Sequence, residues 1–258
     1  MLHRWLLPAN TAAPTQAKRI VSLVPSLTEW LHTLGLEQET VGITKFCIHP
    51  DEWFRQKARV GGTKNVHVAE LLALQPDFVI ASKEENVAEQ VQAIAQQVPV
   101  MLTDIENLED ALAGMQLIAM LTNRREEANP LLMQIQQDFT TALPKAGRAL
   151  YLIWRDPYMS AGGDTYINTL LHYAGWENVC WHQTRYPSLT VAEMQALQPD
   201  VILLSSEPYP FKETHIKELT AHFSNTRICL VDGEMFSWYG SRLLKAMSYF
   251  KALHRQLT

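Results

Sequence analysis

Short, mainly apolar runs alternate with segments whose apolar residues recur at helical spacing. The runs are Ile20–Val24, Val41–Ile43, Phe78–Ala81, Val98–Leu102, Ala149–Trp154, Val201–Leu204 and Ile228–Val231. Runs without polar alternation suit strands covered on both faces, as in a parallel sheet. Ala69–Leu74 has helical spacing and is closed by Gln75-Pro76-Asp77, because proline lacks the amide a helix needs. Strand and helix signals in alternation predict an α/β protein. The longest stretch without a strand signal is Asn107–Leu143. There Leu108, Leu112, Met115 and Ala119 mark one helical face, and a second helix is expected from about Asn123 to Leu143, with Pro130 as a point of kinking. The prediction is two Rossmann-like parallel-sheet lobes, 1–106 and 144–258, joined by a long backbone helix within 107–143.

An internal repeat supports the two-lobe reading. Val68–Glu84 (VAELLALQPDFVIASKE) and Val191–Glu207 (VAEMQALQPDVILLSSE) lie 123 positions apart, and ten of seventeen positions are identical. Leu31–Glu37 (LHTLGLE) and Leu171–Glu177 (LHYAGWE) form a weaker pair. Similarity at this spacing indicates a duplicated domain-sized unit rather than a solenoid of short repeats.

Composition narrows the function. With 47% hydrophobic and 19% charged residues in 258, the chain has ordinary globular composition. A net charge of -5 argues against nucleic acid as partner, which would need a basic face. Residues 1–18 contain only Trp5-Leu6-Leu7 as an apolar run before Pro8, too short for a secretory h-region, so this N-terminus predicts a cytoplasmic protein. Cys47, Cys180 and Cys229 are an odd, scattered set with no disulfide framework. Cys47-x-His49 and Cys180-x-His182 lack the longer spacing of a structural metal site, so no protein-ligated metal is expected. No nucleophile elbow, phosphate-binding glycine loop or His-Glu-x-x-His motif occurs.

Arg19-Ile20-Val21-Ser22-Leu23-Val24-Pro25-Ser26 followed by Thr28-Glu29 resembles the first strand-turn-helix of helical-backbone metal receptors, the class of periplasmic binding proteins that includes the vitamin B12 receptor. Val41-Gly42-Ile43, Val60-Gly61-Gly62, the repeated ALQPD segment, Pro157–Gly163 with Asp164-Thr165, and Gly175-Trp176-Glu177-Asn178-Val179 extend the likeness over residues 19–257. The resemblance implies two α/β lobes, a ligand held in the cleft between them, no catalysis, and export to the periplasm, against the reading of the N-terminus. It implies a monomer that binds a cobalamin-like or chelated-metal ligand, such as a siderophore, without covalent attachment, and that delivers it to an ABC transporter permease. In this family one acidic residue per lobe docks on the transporter; by position in the helix after the strand, Glu89 and Glu213 fit that role better than Glu84 and Glu207.

Ligands of open parallel sheets bind outside the carboxyl ends of the strands. The residues expected there are Lys45, Phe46, Glu84, Glu85, Trp154, Arg155, Tyr158, Glu207, Tyr209, Trp238, Tyr239 and Arg242. The aromatic members suit a broad planar ligand. Arg155 and Arg242 suit an anionic group; alternatively they pair with Glu84 and Glu207. A second reading is a cytosolic enzyme or cofactor handler on the same fold, using Glu84, Glu207 and Arg155 chemically.

Overall fold

The computed structural model describes Trp5, Leu6 and residues 14–258, and it divides into two compact units. Unit 1 comprises residues up to Ile105, Glu109–Gln134 and Tyr239–Ser241; unit 2 comprises Glu106–Leu108, Ile135–Trp238 and Arg242–Thr258. The expectation for the first eighteen residues falls largely outside the described ones.

In unit 1 the chain runs β1 (Ile20–Ser22), α1 (Pro25–Thr33), β2 (Thr40–Ile43), α2 (Asp51–Gln56), β3 (Ala58–Arg59), α3 (Val68–Ala73), β4 (Phe78–Ser82), α4 (Ala88–Ala95) and β5 (Val100–Thr103). The five strands form one parallel sheet, in the order β3-β2-β1-β4-β5. Every residue of β1 and β4 is buried, which is why neither shows apolar and polar residues in alternation. Central β1 lies between β2 and β4, so the connections diverge at its carboxyl end, where such sheets accept ligands.

The stretch expected to carry a first helix and a second from about Asn123 holds two helices of fourteen residues, α5 (Leu108–Leu121) and α6 (Arg125–Asp138), in place of one continuous backbone helix. The break falls where Asn123 takes a φ of 55°, a left-handed conformation that no α-helix continues through. Pro130 is accommodated inside α6, and that helix stops at Asp138 rather than Leu143.

Unit 2 continues with β6 (Gly147–Trp154), β7 (Tyr158–Ser160), α7 (Tyr166–Tyr173), β8 (Trp176–Asn178), β9 (Ser188–Leu189), α8 (Val191–Ala196), β10 (Val201–Ser205), α9 (Glu213–Thr220), β11 (Arg227–Val231), α10 (Glu234–Ser237) and α11 (Leu243–Leu257). β11, β10, β6 and β8 are parallel, but β7 and β9 add an antiparallel pair along the upper half of β6. The expected parallel core is present, and the antiparallel pair extends it into a mixed sheet. The short β7 and β9 escape a hydrophobicity reading because Tyr158-Met159-Ser160 and Ser188-Leu189 have too few residues to show a period.

The sequence repeat survives as repeated hydrogen bonding. Asp77 accepts the backbone amides of Lys18 and Arg19 at 2.8 and 3.0 Å; its counterpart Asp200 accepts that of Arg148 at 2.7 Å. Gln75 and Gln198, also equivalent, both take positive φ (50° and 49°). The Arg19 and Arg148 guanidiniums donate to the carbonyls of those same glutamines. Each unit thus ties its first strand to the turn before its repeat strand. Gly35 and Gly175 (φ 69° and 84°) follow α1 and α7, in the left-handed conformation that ends helices without a Cβ clash.

Candidate functional site

Each unit presents a rim at the carboxyl ends of its strands, built on one shared turn. In unit 1 the amide of Glu84 donates to the Ser82 hydroxyl at 3.2 Å; in unit 2 that of Glu207 donates to Ser205 at 3.3 Å. The small serine ending each repeat strand therefore aims the following acidic residue.

On the unit 1 rim, Lys45 and Phe46 follow β2. The Phe46 ring is 50% exposed, with the Lys45 ammonium 5.2 Å from its centroid. Phe46 is one of the few large apolar side chains offered to solvent here. Lys64 donates to the Glu84 carbonyl at 2.7 Å, and buried Asn86 joins the Ser82 amide to the Thr63 carbonyl, so the loop of Glu84 and Glu85 is pinned at both ends. Tyr239 groups with this unit and is buried, with its hydroxyl hydrogen-bonded to the Thr103 and Ser82 side chains. Burial, chiefly, pushes its pKa up, and nearby Glu85 adds to the rise. Tyr239 serves as a strut beneath this rim; the expectation of an open aromatic wall is corrected there.

On the unit 2 rim, Trp154 ends β6 and is 40% exposed, edge-on to Tyr209 with centroids 5.7 Å apart. Tyr209 in turn packs against Phe211 and His215. Arg155 forms an ion pair with Glu218 of α9 at 2.8 Å and faces the hydroxyls of Tyr209 and Tyr158. Those hydroxyls raise its pKa most, and Glu218 contributes further. The carboxylate that Arg155 meets is thus neither Glu84 nor Glu207, the partners of the alternative reading, but Glu218. Glu218 was missed because α9 reads from sequence as a solvated surface helix, and its proximity to β6 is a matter of packing.

Glu207 is largely buried. Its carboxylate accepts from Ser237 at 2.6 Å and from the Trp238 side chain, yet desolvation, with Glu234 and Asp232 nearby, holds its pKa above the usual carboxylate range. Arg242 pairs with Glu234 at 2.7 Å and stacks over the Trp238 ring at 5.2 Å. Trp238 is only 8% exposed, so it belongs to this packed cluster and not to an exposed wall.

Cys180 is buried while His182 is exposed. The Cys47 thiol is enclosed beside the Thr28 and Thr44 hydroxyls at 3.2 Å each, and burial pushes its pKa to about 11. Among the described residues, no group of three or more His, Cys, Asp or Glu side chains could hold a metal.

The family described as periplasmic binding protein matches residues 20–227. A vitamin B12-binding protein of Pectobacterium carotovorum is 24% identical over 255 residues, covering 94% of this chain and 91% of that one. An uncharacterized ABC transporter substrate-binding lipoprotein of Bacillus subtilis is 27% identical over 202 residues, covering 73% of this chain but only 63% of its own length. Among solved structures, a periplasmic heme-binding protein with two bound hemes superposes with a TM-score of 0.79 at 24% identity, covering 93% of this chain and 97% of the other. The periplasmic vitamin B12-binding protein of Vibrio cholerae gives 0.75 at 17%, covering 95% and 99%. These findings overturn the cytoplasmic expectation: the matched proteins are named as periplasmic proteins or a lipoprotein, and the make-up of residues 1–18 does not decide compartment for such a fold. With four-fifths of its length matched by that one family model, this chain belongs to the periplasmic binding proteins.

Proposed function

We propose that this protein is the substrate-binding component of an ABC-type importer. It holds a cobalamin-like, heme-like or iron-chelate ligand by non-covalent contacts outside the cytoplasmic membrane and performs no catalysis. The family match over residues 20–227 carries this reading, and the names of the matched relatives support the ligand class. The rims fit it chemically. Phe46 and Trp154 offer exposed rings suited to the face of a macrocycle, and the polar residues beside them suit its substituents. The enzyme alternative has less support, because Arg155 is engaged by Glu218 and Glu207 by Ser237 and Trp238.

The test is titration of the purified protein with cyanocobalamin, hemin and ferrichrome, read by tryptophan fluorescence and ligand absorbance. Saturable one-to-one binding of one probe, unaltered after incubation, is expected. Failure to bind any of the three, or turnover of a bound one, overturns the proposal. Glu89 and Glu213, exposed in the first turns of α4 and α9, are the proposed transporter contacts, and the protein is proposed to act as a monomer.

A further inference from the structure

Behind the exposed ring of Trp154, the unit 2 rim contains a hydrogen-bond relay whose direction can be worked out. His215, the third residue of α9, is only 7% exposed. Its Nδ1 accepts the backbone amide of Lys212 at 2.8 Å, which leaves Nε2 to carry the ring proton. Nε2 lies 3.2 Å from the Tyr209 hydroxyl, so the phenol oxygen accepts there. The Arg155 guanidinium also faces the hydroxyls of Tyr209 and Tyr158. A guanidinium has donors only, so toward it both phenol oxygens can only accept. Tyr209 thus has two donors beside it and Tyr158 one. Each keeps a proton for which no acceptor occurs among the described residues. The guanidinium's charge is already answered by Glu218 at 2.8 Å, so this end of the rim offers neutral O–H donors and not a bare cation.

We propose that His215 and Arg155 are positioning residues that turn the Tyr209 and Tyr158 hydroxyls into donors for a carbonyl-type oxygen on the ligand's edge, while Trp154 covers its face. The acceptor is a carboxylate in a porphyrin, an amide carbonyl in a corrinoid or a hydroxamate oxygen in an iron chelate. This relay rests on the binding function proposed above, and it moves Arg155 from anion clamp to support.

A double-mutant cycle on the full chain, titrated with hemin, cyanocobalamin and ferrichrome, tests it. For whichever probe the wild type binds, Tyr209→Phe should weaken binding about tenfold, the worth of one well-placed hydrogen bond. His215→Phe should also weaken it, and should add no further loss in the Tyr209→Phe background. His215→Gln, which can place an amide N–H near the Nε2 position, should restore much of the affinity. Thermal melts identify any variant that fails to fold; in that event Tyr209→Phe and Arg155→Lys carry the test, again with non-additive losses expected. Wild-type binding with unchanged Tyr209→Phe affinity, or losses that multiply in the double variant, overturns the relay alone. A wild type that binds no probe overturns the binding function, and the relay with it.

Discussion

Two tryptophans that look alike in sequence have different fates. Trp154 stands 40% exposed at the end of β6, whereas Trp238 is 8% exposed beneath the Arg242 guanidinium. Trp154→Ala should weaken ligand binding while leaving stability within about 1 kcal/mol. Trp238→Ala should cost about 3–5 kcal/mol of stability, the usual consequence of emptying a packed aromatic site. Calorimetric binding alongside urea denaturation separates the two. Glu207 supports a second prediction. Its folded-state pKa is raised above the unfolded value, so the folded state binds the proton more tightly. Its contribution to stability is therefore full below the unfolded pKa and is lost as pH rises through the folded one. Glu207→Gln should accordingly gain stability relative to wild type near pH 7, and the gain should vanish on acidification toward pH 4.5. Urea midpoints at several pH values between 4 and 7.5 would show this; a constant difference across the range would refute it.

The repeated Asp-to-amide bonds make the two units comparable element by element. Asp77 accepts two backbone amides and Asp200 one. Asp77→Ala should cost about 1–3 kcal/mol, because amides at the start of β1 lose their acceptor, and Asp200→Ala should cost less. Hydrogen exchange would localise each loss to its own unit, with increased exchange at Arg19 in one variant and at Arg148 in the other. These bonds were foreshadowed by the duplicated ALQPD segment, since identical residues at a turn after a helix and before a strand answer the same backbone need. The two helices between Asn107 and Leu143 were legible in number and in their division near Asn123, but the end of the second was not: it stops at Asp138, short of Leu143.

For the molecule's function in transport, the acidic residues at the starts of α4 and α9 provide the test. Glu89→Lys with Glu213→Lys should abolish ligand uptake in a cell or vesicle assay while leaving the dissociation constant for the bound probe unchanged. A fall in affinity, or undiminished uptake, would show that these residues do not dock the transporter. Export can be checked by fractionating cells that express the natural gene, and the protein is expected outside the cytoplasm.

The longer strands, their parallel pairing and the duplication could be read from the residues alone, because burial on both faces leaves no polar alternation and a repeated turn leaves repeated letters. The rims could be approximated in the same way, since the ends of β1, β2, β4, β6, β10 and β11 follow from the strands. Which rim residues are open to a ligand could not. Phe46 and Trp154 are exposed while Trp238 and Tyr239 are buried, and Arg155 meets Glu218, sixty-three positions later in the chain, and neither Glu84 nor Glu207. Such outcomes depend on how α9, α10 and the segments around them pack onto sheet ends. Packing is a property of side chains brought together from distant positions, and local periodicity holds no record of it.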